Sequence, residues 1–387
     1  MMSTYDKDLA KWFPRLIAVW RAVRRSPPGP PDRLTPPELK EVGAAVRRLS
    51  LGLTRERELA GAHYMDDPKL LGAYLLFYWP VSYAQARQVL GELPNRPRTV
   101  LDLGSGPGPV SFAAMDAGGA EVTAADRSRP ALELALKLAA EAGEALSIRN
   151  WDPQAKKGLP EGQFDVITMG HVLNELFGQD DVALARRADL LEEALGKLKR
   201  GGSLVVIEPA LRDTSRNLLK VRDQMVSRGY AIRAPCMFRG NCPALVKESD
   251  WCHAERSWEM PRVVEDLARA AQLHKEALKM SYLVLAPKGE AWREPPPGRL
   301  FRIVSEPLEG KGRHRYMGCG PEGRVGLALQ TKHETPENKA FFHLRRGDVI
   351  SVSETEERGD GFALTDKSQV RVVAPAGRRL PEPWEST

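Results

Sequence analysis

Four cysteines and a run of three glycines are the residues of this 387-residue chain whose types and spacing could do chemistry. Cys236, Cys242 and Cys252 fall within seventeen residues, in APCMFRGNCPALVKESDWCH, and Cys319 follows much later in RYMGCGPEG. Four thiols with none left over are the count that closes a four-cysteine metal site. No tight C-x2-C pair is present to form the knuckle of a zinc ribbon. Iron–sulfur clusters are larger and are often held by separated thiolates on irregular loops, with proline beside a ligand. Here Pro235 precedes Cys236 and Pro243 follows Cys242. The spacing therefore ranks an iron–sulfur cluster ahead of zinc. Two disulfides, or four unrelated buried thiols, are the alternatives. Disulfides need an oxidising compartment, and MMSTYDKDLAKWF carries charge too early for a secretory signal.

The glycines lie in Val100-Leu101-Asp102-Leu103-Gly104-Ser105-Gly106-Pro107-Gly108. A lone G-x-G-x-G serves many nucleotide ligands, because glycine lets backbone approach where a Cβ would collide. Context sharpens it. Asp126 ends the next strand pattern, twenty-two residues after Gly104, where it can accept both ribose hydroxyls. Asp152 follows the third, in RNWDP, near where an adenine edge would lie, with Trp151 beside it as a stacking surface. Pro107 removes an N–H donor that a pyrophosphate ligand would use, so adenosine carrying a sulfonium fits better than a dinucleotide. In this order the residues resemble class I S-adenosylmethionine-dependent methyltransferases, over about residues 95 to 290. The resemblance implies cofactor binding by Asp102, Gly104, Gly106, Gly108, Asp126, Trp151, Asp152 and His171.

No catalytic residue declares itself. The fourth strand pattern ends in Met169-Gly170-His171-Val172-Leu173-Asn174-Glu175-Leu176, without the Asn/Asp-Pro-Pro-aromatic cluster that grips exocyclic base amines. A cysteine nucleophile for pyrimidine carbon-5 is also unavailable if the four thiols are taken by metal. His171 and Glu175 are weak acid–base candidates, one turn apart if the segment is helical. Glu208, before Pro209 at the end of the fifth strand pattern, is another. The simpler role for His171 is to shape the cofactor pocket, and for Asn174 to cap or pack.

These residues need elements to position them. Residues 1–94 read as a helical region: Thr35-Pro36-Pro37-Glu38 is a capping box, Ser26–Pro31 is a stiff breaker, and LLGAYLLFYWPVSYAQARQVLGEL is helical but interrupted at Pro80. Residues 95–294 alternate strands (TVLDLG, AEVTAAD, LSIRNWD, FDVITMG, SLVVIEP, SYLVLAP) with amphipathic helices, which predicts a parallel-rich, Rossmann-like α/β sheet with a Cys-rich insertion at 233–256. Pro295–Gly298 reads as a linker. Residues 298–376 carry short alternating runs (RLFRIVSEPLE, RVGLALQTK, AFFHLR, VISVSET, QVRVVAP) that predict a small OB-like β-barrel, and the last ten or so residues read as frayed. No apolar run has the length of a membrane span. The net charge is +6, yet Arg299 to Arg346 alone holds ten Lys or Arg against five acids, a local +5 that suits a phosphate backbone or a merely solvated surface.

The whole combination, over residues 60 to 370, resembles the mitochondrial small-ribosomal-subunit methyltransferase-like assembly factors and their bacterial relatives. Its strongest part is the Cys-Pro pair with Asp250-Trp251-Cys252-His253. The resemblance implies an iron–sulfur cluster of 4Fe–4S type on Cys236, Cys242, Cys252 and Cys319, with zinc the alternative. It also implies S-adenosylmethionine at the glycine loop and action on small-subunit rRNA; a monomer is the expected state. His253 beside a ligand is expected to be packed rather than ligating. Asp6 and Asp8 are wrong for a targeting presequence, so a bacterial cytoplasmic protein is the simpler expectation. Two functions are compatible: rRNA methyl transfer, or non-catalytic rRNA binding with cofactor and cluster as structural or sensing parts.

Overall fold

The computed structural model of the protein describes residues 4–155, 158–292, 298–308 and 310–381. Pro295–Pro297 of the expected linker and residues 382–387 at the C-terminus lie outside them. Helix α1 (Thr4–Arg24) stops just before the proline-rich breaker, and α2 (Pro36–Ser50) starts at the expected capping box. Thr35 N–H donates to Glu38 at 2.7 Å, and Arg21 from α1 donates to the same carboxylate at 2.8 Å. The cap thus also staples the two helices. Helix α3 (Pro68–Ala73) passes through a π turn, Tyr74–Tyr78, into α4 (Trp79–Leu90). Pro80 does not break the helix as its sequence suggests. It falls in the first turn of α4, where a wide turn already leaves backbone donors unpaired.

The central domain runs β1 (Thr99–Leu103), α5 (Pro109–Gly118), β2 (Glu121–Asp126), α6 (Arg129–Ala142), β3 (Leu146–Asn150), β4 (Phe164–Gly170), α7 (Asp181–Leu195), β5 (Leu198–Pro209), α8 (Arg212–Ser227), β6 (Ile232–Ala234), β7 (Ala254–Ser257), α9 (Arg262–Ala270) and β8 (Ala277–Leu285). The sheet order is β3-β2-β1-β4-β5-β8-β6, with β7 also on β8. Strands β3 to β5 are parallel and β8 runs against β5. This is the mostly parallel α/β sheet expected of a class I methyltransferase, and its apolar strands are covered on both faces. One face packs on α1–α4, where Trp79 stacks on Tyr83 at 5.3 Å and Trp12 meets Phe112 at 4.7 Å; the other packs on α7 and α8. Strands β6 and β7 share one edge of β8: Ala234 lies opposite Val284 and Ala254 opposite Met280. The Cys-rich insertion is the loop that leaves the sheet between them.

Beyond it, β9 (Arg299–Ile303), β10 (Arg313–Gly320), β11 (Gly323–Gln330), β12 (Val349–Arg358) and β13 (Gly361–Ala374) pair all the way round in the order β9-β10-β11-β13-β12, with β11 and β13 parallel. AFFHLR is not one of these strands. Lys339–His343 is a 3-10 turn whose buried Phe341 packs edge-on against Tyr316 at 5.1 Å, so its apolar run plugs the barrel. Cys319 instead sits on β10, a strand that the sequence left unmarked. The barrel is fastened to the rest through buried Glu92: Arg302 of β9 pairs with it at 3.0 Å, Arg256 of β7 at 3.7 Å, and Tyr282 of β8 donates to it at 2.7 Å. Among the described residues no helix is long and apolar enough to cross a membrane.

Candidate functional site

The turn from β1 into α5 puts Gly104, Gly106 and Gly108 at φ of +68°, +52° and +82°, a region L side chains rarely adopt. A Cβ on Gly104 would also stand 2.4 Å from Val172 Cγ2. Asp126, at the end of β2, accepts from Gly106 N–H at 2.8 Å and Ser128 N–H at 2.7 Å, which fixes the loop and leaves its other lone pairs for a ligand. Burial raises the Asp126 carboxyl above the usual range. Together Gly104, Asp126, buried Trp151, His171 and Glu175 line one cavity of about 70 Å³.

Other expected residues lie outside it. Asp102 is fully buried beneath the loop, takes hydrogen bonds from Ser111 and Thr168 at 2.7 Å each, and is pushed by burial up to about 6. Its task is to hold β1, β4 and α5 together. Asp152 accepts from Gln154 N–H at 2.9 Å in an exposed turn, and Pro153 lines the cavity in its place. What the sequence did not mark is the cover. Gly61, Ala62, His63, Tyr64, Met65 and Tyr74 close the cavity from the helical region. Arg127 donates to the Gly61 and Ala62 carbonyls at 2.8 and 2.7 Å, and Ser128 to Asp66 at 2.7 Å. The only signal for this segment was its Gly61, which sits at φ +82°. The lining groups suit an adenosyl ligand with a sulfonium, but such a ligand needs roughly 300 Å³ or more.

His171 and Glu175 do not form a helical pair. His171 has φ +60°, and only Leu173–Glu175 makes a 3-10 turn. Gln85 Nε2 donates to the Lys279 carbonyl at 3.0 Å, so Gln85 Oε1 must be the acceptor facing His171 Nε2 at 2.8 Å. This fixes the proton on Nε2 and leaves Nδ1 as the basic nitrogen. Burial, with Lys275 adding to it, pulls His171 down to about 4. Burial pushes Glu175 up to about 7 and Glu208 up to about 8. Glu208 Oε1 is buried without a partner and lies away from the cavity. Arg187, almost fully buried, holds this loop through the carbonyls of Asn174, Leu176 and Gly178 at 3.2, 3.0 and 2.5 Å.

The four cysteines are free thiols, so the disulfide alternative is not realised. They do come together. Burial raises all four, and beyond burial Cys319 is raised by Cys236, Cys252 and Cys242, and Cys242, pushed up to about 12, by Cys236 and Cys252. Cys252 is pushed up to about 11 by burial and by Cys236. Among the described residues, no three His, Cys, Asp or Glu side chains are placed to hold one metal ion. This arrangement by itself shows neither a zinc site nor an iron–sulfur site. The surroundings are cationic. Arg222 acts on Cys236 and Cys242, Arg302 on Cys236, Arg324 on Cys252 and Cys319, and Arg346 on Cys252. The Nε of all four arginines is buried without an acceptor. Four guanidiniums that act on four thiols favour negative charge there. The loop itself is clamped: Arg216 donates to the Lys247 and Asp250 carbonyls at 2.8 and 2.6 Å, and Cys242 N–H donates to Asp223 at 3.0 Å. His253 is held by Arg346 at 2.8 Å.

Three of the ten cations counted between Arg299 and Arg346 thus face the thiols, while Arg313 and Arg315 remain exposed on β10.

Similar solved structures are methyltransferases. One from Pyrococcus furiosus is 15% identical, with a TM-score of 0.36 over 54% of this chain and 83% of its own. A putative RNA methyltransferase from Pyrococcus horikoshii is 12% identical, with 0.34 over 54% and 85%. The plantazolicin methyltransferase BpumL, in complex with SAH, is 13% identical, with 0.36 over 65% and 97%. At such scores nothing about activity follows from them. No curated protein matches the chain. The model of the family described as mitochondrial small ribosomal subunit Rsm22 matches residues 69–363, from α3 across the glycine loop and all four cysteines into the barrel, and the chain belongs to that family.

Proposed function

We propose that this protein is a methyltransferase-like factor of the small ribosomal subunit that binds S-adenosylmethionine at the glycine loop, carries a four-cysteine iron–sulfur cluster, and acts on small-subunit rRNA. The carrying observation is that one chain of this family lines a cavity with Gly104, Asp126, Trp151 and His171, and brings four thiols together among arginines whose charge acts on them. In the first centre Asp126 would take the ribose hydroxyls and Trp151 the adenine face. S-adenosylmethionine, when bound, supplies an electrophilic methyl group, and His171, whose basic nitrogen is Nδ1, lines the cavity. In the second, Cys236, Cys242, Cys252 and Cys319 would be the ligands. The strand order with β11 parallel to β13 supports an OB-like barrel, a fold that binds oligonucleotides, and exposed Arg313 and Arg315 suit its phosphates.

The cover fastened over the glycine loop by Arg127 and Ser128 favours a second reading, in which the cofactor is a structural or sensing element and no methyl group leaves it. Incubating the protein with methyl-labelled S-adenosylmethionine and immature small subunits separates the two. Label in rRNA, with S-adenosylhomocysteine released, is expected for the enzyme; cofactor bound without turnover, for the assembly factor. Absence of both cofactor binding and particle binding would overturn both.

A further inference from the structure

Glu175 is the one carboxylate contributed to the cavity by the loop after β4. It is half-buried and lines the cavity. Among the described residues its carboxylate accepts a single hydrogen bond, from Gly61 N–H at 3.2 Å. Gly61 begins the cover, the segment that Arg127 and Ser128 hold over the glycine loop. Glu175 therefore touches both the ligand space and the segment that closes it. A half-buried carboxylate with one neutral partner is short of a cation. Arg57 and Arg127 lie near enough to favour its charged form, but both are committed, Arg57 to Asn174 at 2.8 Å and Arg127 to the cover carbonyls. Asp126 disfavours the charge, and Tyr64, Tyr74 and Glu208 are themselves held protonated around it.

Resting on the reading that this cavity takes S-adenosylmethionine, we propose that Glu175 reads the cofactor's charge. The sulfonium keeps its carboxylate ionised, which tightens the bond to Gly61 N–H and fastens the cover, whereas the uncharged thioether of S-adenosylhomocysteine does neither. The pocket then prefers the methyl-bearing form and releases the spent one. Because burial pushes the free carboxyl up to about 7, binding of the cation releases a proton below that value and strengthens as pH rises through it.

Calorimetry of both ligands at pH 6 and pH 8, in buffers of different ionisation enthalpy, tests this. The wild type should prefer S-adenosylmethionine by at least about tenfold at pH 8 and less at pH 6, with proton release at pH 6 for that ligand only. Glu175→Gln should bind both ligands alike, and its retained affinity for S-adenosylhomocysteine shows that it is folded. Amide exchange in residues 61–66 should slow with S-adenosylmethionine and not with S-adenosylhomocysteine. Equal affinities in the wild type at both pH values, or an unchanged preference in Glu175→Gln, overturn the role of Glu175 while leaving cofactor binding intact. A wild type that binds neither ligand overturns the cofactor reading and this inference with it.

Discussion

Gly104 occupies a left-handed backbone position and has Val172 pressed against the space a side chain would need. Gly104→Val would therefore meet strain and a clash together, and S-adenosylmethionine affinity should fall by at least about a hundredfold in calorimetry; an unchanged affinity would detach the glycine loop from the cofactor. This much of the site was legible, because glycine spacing, an acid at the end of β2 and a following tryptophan are local marks of a strand–helix switch. Asp152 does not line the cavity, whereas Trp151 and Pro153 on either side of it do, a one-residue difference at the end of β3 that local spacing does not resolve. Glu175 and Gly61 meet across 114 residues of sequence, a separation that no local pattern records.

At the scale of elements, the parallel strands were readable because continuous apolar runs are what two-sided burial demands. The barrel was less so. Its apolar AFFHLR run serves as a plug, while β10, alternating exposed Arg313 and Arg315 with buried Tyr316, reads as polar. Strands β6 and β7 are too short to show any periodicity, although together they set where the cysteine loop leaves the sheet. If β10 meets RNA through its exposed arginines, changing Arg313 and Arg315 to Glu should weaken binding to unrelated RNA sequences alike and reduce the salt slope by about two. Filter binding across a salt series checks this, and wild-type affinity and slope would mean that this face is only solvated.

At the scale of the whole molecule, one barrel is locked to the sheet by two charge networks that composition alone counted as surface. Glu92 lies buried between Arg256 and Arg302, so Glu92→Gln leaves both cations uncompensated. Urea unfolding should show a loss of roughly 3–5 kcal/mol, and an unchanged midpoint would mean that the network is not a fastening. The second lock is the thiol centre, where β10 delivers Cys319 to three cysteines of the sheet-edge loop and the barrel also brings Arg302, Arg324 and Arg346. A shared cluster there would hold the basic face in fixed orientation to the cofactor pocket. Wild type and Cys319→Ser, both purified without oxygen, are to be compared for iron content, limited proteolysis and S-adenosylmethionine affinity. The expected result is about four iron atoms per wild-type chain, and in Cys319→Ser loss of iron, release of the barrel by protease and wild-type cofactor affinity. Stoichiometric zinc without iron in the wild type, or a Cys319→Ser protein with full iron and the wild-type cleavage pattern, would contradict it.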